Sequence, residues 1–96
     1  MSILNENSNV RVNVAQNPNT PKETLSLLAT DEDFVVLFGV AQNSNTPQET
    51  LVLLATDENS NVRYWVAQNP NTPEEALLLI NSKEYQLNKP LLKLAH

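Results

Sequence analysis

A 26-residue string runs three times in tandem through this chain: Asn5 to Thr30, Asp31 to Thr56 and Asp57 to Ser82 align without a gap. The copies read NENSNVRVNVAQNPNTPKETLSLLAT, DEDFVVLFGVAQNSNTPQETLVLLAT and DENSNVRYWVAQNPNTPEEALLLINS. A period of this size belongs to a solenoid or array, in which each unit is a supersecondary element too small to bury its own apolar face. Units of this kind stack on their neighbours, so the expected architecture is one repeat domain over residues 1–96. Residues 1–4 form an N-terminal cap, 5–30, 31–56 and 57–82 are repeats, and 83–96 form a C-terminal capping helix carrying Leu87, Pro90, Leu91, Leu92 and Leu94. With 41% hydrophobic and 18% charged residues over 96 positions, there is material for one small core.

Each unit is punctuated twice. Thr20-Pro21-Lys22-Glu23, Thr46-Pro47-Gln48-Glu49 and Thr72-Pro73-Glu74-Glu75 read as helix starts, with Thr as N-cap, Pro at the first helical position and Glu completing a capping box. The helix that follows carries Leu25, Leu28 and Ala29, then Leu51, Leu54 and Ala55, then Leu77 and Ile80, a stripe at i, i+3, i+4 that must face a partner. These helices are expected to end near Thr30, Thr56 and Ser82. Before each lies a shorter apolar face, Val10, Val14 and Ala15, then Val36, Val40 and Ala41, then Val62, Val66 and Ala67. That face is stopped by Pro18 and Pro70, which lack a backbone N–H and push the preceding Asn out of the α region; the second copy has Ser44 at this place. Asn5, Asp31, Asp57, Asn7, Asp33 and Asn59 are candidate caps for it, and the sequence does not choose between the two sets.

These residues resemble the leucine-rich repeat variant family, whose unit reads roughly Val-Arg-x-x-Val-Ala-x-Asn-Pro-x-Thr-Pro-x-x-Leu-x-x-Leu-Ala. The match runs through Val10, Arg11, Val14, Ala15, Asn17, Pro18, Thr20 and Pro21 in the first copy, and through Val62, Arg63, Val66, Ala67, Asn69, Pro70, Thr72 and Pro73 in the third. The resemblance implies an all-α fold, a short α-solenoid of alternating short helices, α and 3-10, wound into a right-handed superhelix. It implies no reaction and no common ligand.

Charge and composition narrow the functional classes. The net charge of −5 argues against a general phosphate-backbone binder, which needs a basic face. Arg11, Lys22 and Arg63 are the only bases up to residue 82, whereas Lys83, Lys89 and Lys93 lie beyond it. With no cysteine, thiolate nucleophiles and Cys-type zinc sites are impossible. His96 is the single histidine, no Ser sits in a nucleophile motif, and Asp31-Glu32-Asp33 lacks the spacing and glycine of a calcium loop. No enzyme activity, cofactor or metal is expected. No stretch is long and apolar enough for a membrane span, and the opening residues lack the basic start of a signal peptide. A cytoplasmic protein is the expectation.

The second copy departs from its neighbours. Where they have Ser-Asn-Val-Arg, it has Phe34-Val35-Val36-Leu37, followed by Phe38 and Gly39. If Phe34, Val35 and Leu37 keep the exposed orientation that Ser, Asn and Arg prefer, they make an apolar patch. Phe38 and, one repeat on, Tyr64 and Trp65 add aromatic anchors to it. The competing reading folds these side chains into the core. Gly39, the only glycine, either weakens its helix or makes room for Trp65. Asn17, Asn43 and Asn69 read as an inter-repeat ladder satisfying loop backbone, Arg11 and Arg63 as solvated or salt-bridging with Asp and Glu of the next repeat rather than as a joint anion site, and Glu23, Glu49 and Glu75 as parts of the helix starts.

Three functions follow. The first is a protein–protein interaction module, adaptor or inhibitor, using Phe34, Val35, Leu37, Phe38, Tyr64 and Trp65. The second is a self-assembling structural repeat, with a homodimer as its simplest form. The third is a nucleic-acid-related binder or acidic DNA mimic, which the charge disfavours.

Overall fold

The computed structural model describes residues 2–83; the capping helix expected over 83–96 lies, but for Lys83, outside them. Among the described residues the chain is helical throughout, without strands. After a 3-10 turn at Ile3–Asn5 come α1 (Ser8–Gln16), α2 (Lys22–Leu28), α3 (Phe34–Gln42), α4 (Gln48–Leu54) and α5 (Ser60–Gln68). A further helix, α6, runs from 74 to the last described position, 83.

The starts of α1, α3 and α5 resolve the choice of caps. Asn7 Oδ1 accepts from the Val10 N–H at 3.0 Å, Asp33 Oδ1 from Val35 at 2.9 Å and Asn59 Oδ1 from Asn61 at 2.8 Å. Asp31 and Asp57 act one step earlier, folding the turn by accepting from Asp33 N–H at 2.9 Å and Asn59 N–H at 2.8 Å. These turns follow α2 and α4 directly, which is why both helices stop at Leu28 and Leu54. The matching residue of the third repeat is Lys83, whose ammonium cannot accept a hydrogen bond, and α6 continues past Ser82.

The expected capping boxes are not formed. Pro21 and Pro47 are themselves the N-caps of α2 and α4, their carbonyls accepting from Leu25 and Leu51 N–H. The preceding threonines turn the other way. Thr20 Oγ1 donates to the Val14 carbonyl at 2.6 Å and Thr46 Oγ1 to that of Val40 at 2.7 Å, and Thr72 donates to Val66 in the same manner. The hydroxyl thus satisfies a carbonyl in the last turn of the preceding helix, where Pro18 and Pro70 have no N–H to offer. The second layer also departs from the 3-10 helices implied by the resemblance: α2 and α4 are α-helical, and i to i+3 bonding survives only at their ends, as in Thr24 N–H to Pro21 O and Thr30 N–H to Leu27 O.

Helices α1, α3 and α5 pack side by side, and α2, α4 and α6 form a second layer behind them. The core lies between the layers, built from Ala15, Val36, Val40, Val62 and Val66 of the first and Leu25, Leu28, Leu51, Leu54 and Ile80 of the second. Burying one such aliphatic side chain contributes about 1.5–3 kcal/mol, so this seam is the main source of stability.

Candidate functional site

The residues expected to form an apolar patch divide by depth. Phe34 and Val35, on the first turn of α3, are 53% and 49% exposed. Tyr64 on α5 is 55% exposed and meets Trp65 edge-on, with ring centroids 5.0 Å apart. Phe38 and Trp65 are half-buried against the core. Leu37 is 4% exposed and belongs to the core, so its assignment to a partner-binding surface is corrected.

The physical reason is visible at the matched positions. Arg11 and Arg63 occupy the place of Leu37 in the flanking repeats, and neither points into solvent. Arg11 lies against Asp31, Nε to Oδ2 at 2.7 Å, with their side chains 17% and 5% exposed, and also donates to the Glu6 carbonyl. Arg63 is buried and donates from Nη1 to the carbonyls of Asp57 at 2.7 Å and Glu58 at 3.0 Å. The position is a slot closed by the turn before the helix. Arginine fills it with hydrogen bonds and Leu37 fills it with methyl groups. The expected salt-bridging role holds for Arg11, and the bonds and burial of the two arginines leave them no basic surface to present together.

The patch is also split along the helix axis. Trp65 borders a hollow with Gln42, Gln68, Asn69 and Pro70, at the C-terminal ends of α3 and α5. Phe34 and Val35 stand at the other end of α3, roughly 12 Å along a nine-residue helix rising about 1.5 Å per residue. Sequence reasoning missed the most exposed aliphatic side chains among the described residues, Leu53 and Leu78. The signal was present: in Leu51-Val52-Leu53-Leu54 the inward stripe needs only Leu51 and Leu54, and the surplus side chain must face out.

The asparagine ladder is fully formed between units. Asn43 Nδ2 donates to the carbonyls of Ala15 at 2.8 Å and Asn17 at 2.9 Å; Asn69 Nδ2 repeats this on Ala41 and Asn43 at the same distances. Each Oδ1 in turn folds its own loop, accepting from Asn45 and Asn71 N–H at 2.9 Å. Outside this ladder two further asparagines that the sequence reading missed also bond to the preceding unit, though at different places in it, Asn45 Nδ2 to Thr20 O at 2.7 Å and Asn71 Nδ2 to Ser44 O.

Among the described residues no helix is long and apolar enough to cross a membrane, and no three acidic or histidine side chains converge as metal ligands. No curated protein and no solved structure matches the chain. The model of the leucine rich repeat variant family does match, over residues 9–33, the stretch from α1 into the turn before α3, so this segment is similar to a leucine rich repeat variant unit.

Proposed function

We propose that the chain is a non-enzymatic protein-interaction module whose partner contacts the outer face of α3 and α5 through Phe34 and Val35 at one end and Tyr64, backed by the edge-on Trp65, further along, with Phe38 half-buried in α3. The observation that carries this reading is the exposure of Phe34 and Val35 where the matching residues of α1 and α5 are Ser8, Asn9, Ser60 and Asn61. Two large apolar side chains held half in water have no packing role that Ser and Asn do not fill equally well, so a contact surface is the better account. Leucine rich repeat variant units are structural repeats, which agrees with a scaffold presenting side chains rather than a reaction centre.

The test uses Phe34→Ser with Val35→Asn, which copies residues the fold already accepts at Ser60 and Asn61. Wild type and variant, matched in helicity and melting temperature, are used to capture proteins from host lysate. A purified captured protein is then titrated against both. Binding at least tenfold weaker to the variant supports the surface; equal binding by every captured protein removes it.

A further inference from the structure

The same repeat position changes its burial from one end of the stack to the other, and this marks two faces that the described residues leave partly open. Ala15 and Ala41 are fully buried but Ala67 is exposed; Leu25 and Leu51 are 0% exposed but Leu77 is 38%. These positions are covered by the unit that follows. At the beginning of the stack the pattern reverses. Val36 and Val62 are 0% exposed but Val10 is 36%, and Val40 and Val66 are buried where Val14 is half-buried. These positions are covered by the unit before.

The hydrogen-bonding groups of the two faces are complementary. On the first face Asn17 is exposed, with its Oδ1 held by Asn19 N–H at 2.9 Å and its amide N–H donors without a partner among the described residues. On the last face the carbonyls of Ala67 and Asn69 stand where those of Ala15 and Asn17, and of Ala41 and Asn43, receive the next asparagine amide. Neither accepts such a donor among the described residues. Beside them Leu77 and Leu78 lie exposed, and Leu78 and Leu79 with Glu74, Glu75 and Ser82 bound a shallow hollow.

We infer that the chain associates with further copies of itself head to tail. The Val10–Val14 face of one copy would cover Ala67 and Leu77 of the next, and Asn17 Nδ2 would donate to the Ala67 and Asn69 carbonyls across the junction. The occupant is a second copy because the missing donors and the missing acceptors are the two halves of one rung that the chain already builds twice internally. A junction of this kind is heterologous and does not close on itself, so association proceeds beyond the dimer. The interaction is separate from the surface of α3 and α5 proposed above.

Sedimentation equilibrium of the full chain over a wide concentration range is the test. The average mass is expected to rise from the 10.7 kDa monomer through the dimer to larger species. Asn17→Asp keeps the Oδ1 acceptor for Asn19 but removes the amide donors and sets a carboxylate against two carbonyls. It should weaken self-association about tenfold or more with helicity unchanged. Because its last face is intact, the variant added in excess to wild type should terminate stacks and lower their average mass. A monomer at every concentration overturns the inference. So does association that Asn17→Asp leaves untouched, or a dimer that never grows.

Discussion

A Cβ placed on Gly39 would stand 2.8 Å from the Cβ of Ala15, inside any normal carbon–carbon contact, so α1 and α3 meet through a position that only glycine fits. The glycine accommodates the preceding repeat, not Trp65 of the following one. Ordinarily alanine in place of a helical glycine gains about 0.8–1 kcal/mol. Here overpacking against a rigid methyl group costs about 1–3 kcal/mol and reverses the sign. Gly39→Ala is expected to lower stability in urea titration. Ala15→Gly combined with it should recover most of the loss, giving a favourable coupling of about 1 kcal/mol or more in the double-mutant cycle. A raised melting temperature for Gly39→Ala alone would show that the two helices separate freely.

The asparagine ladder predicts that one substitution has unequal effects along the chain. Asn43 is buried, and its loss to Ala strips donors from the Ala15 and Asn17 carbonyls as well as the acceptor for Asn45 N–H. Unsatisfied buried groups cost about 1–3 kcal/mol each. Asn43→Ala should therefore destabilise by about 2–4 kcal/mol. Asn17→Ala, measured in dilute solution, removes only the exposed turn bond to Asn19 and should cost about 1 kcal/mol or less. Equal losses at the two positions would contradict the directional ladder.

How far the fold could be read from the sequence follows from these same residues. The period, the two helices per unit and the ladder of Asn17, Asn43 and Asn69 were legible because each is a repeated string with one local cause. What failed was the direction of individual side chains. Thr20 next to Pro21 looks identical whether its hydroxyl caps the helix ahead or serves Val14 behind it, and only the chain path between α1 and α2 decides. Leu37 was misplaced because arginine was assumed to mark an exposed position, whereas the turn at Glu6 and Asp31 supplies acceptors that let Arg11 turn inward. The candidate surface was accordingly legible in part: Phe34, Val35 and Tyr64 are exposed, while Phe38 and Trp65 are shared with the core.

The reversed threonine separates two residues that a capping box would make partners. Thr46→Val removes the hydroxyl from the Val40 carbonyl at a buried site and is expected to cost about 1–2 kcal/mol. Glu49 is exposed in the first turn of α4 and serves only the helix dipole, so Glu49→Gln should cost about 0.3–1 kcal/mol at low salt and less at high salt. Chemical denaturation of both single variants and the double distinguishes the two arrangements. The costs should add, whereas a capping box would couple them.

The slot occupied by Leu37 makes the strongest demand on the repeat description. Its counterpart Arg11 reaches Asp31, and in the alignment of the repeats the residues at those two places in the next register are Leu37 and Asp57, with Asp57 Oδ1 accepting from Asn59 N–H. Leu37→Arg would lose about 1.5–3 kcal/mol of apolar burial. It would gain charge-assisted hydrogen bonds to Asp57 and to the turn carbonyls, each contributing about 1.5–3 kcal/mol. Once the cost of taking the guanidinium charge out of water is set against those bonds, gain and loss nearly offset, and Leu37→Arg should stay within about 1 kcal/mol of wild type. Leu37→Glu sets a second negative charge into the same closed slot and should cost about 3 kcal/mol or more. Asp57→Asn should then weaken the arginine variant more than it weakens wild type. If Leu37→Arg unfolds the chain as readily as Leu37→Glu does, the slot is an apolar pocket of the second repeat and its likeness to the arginine positions ends at the backbone.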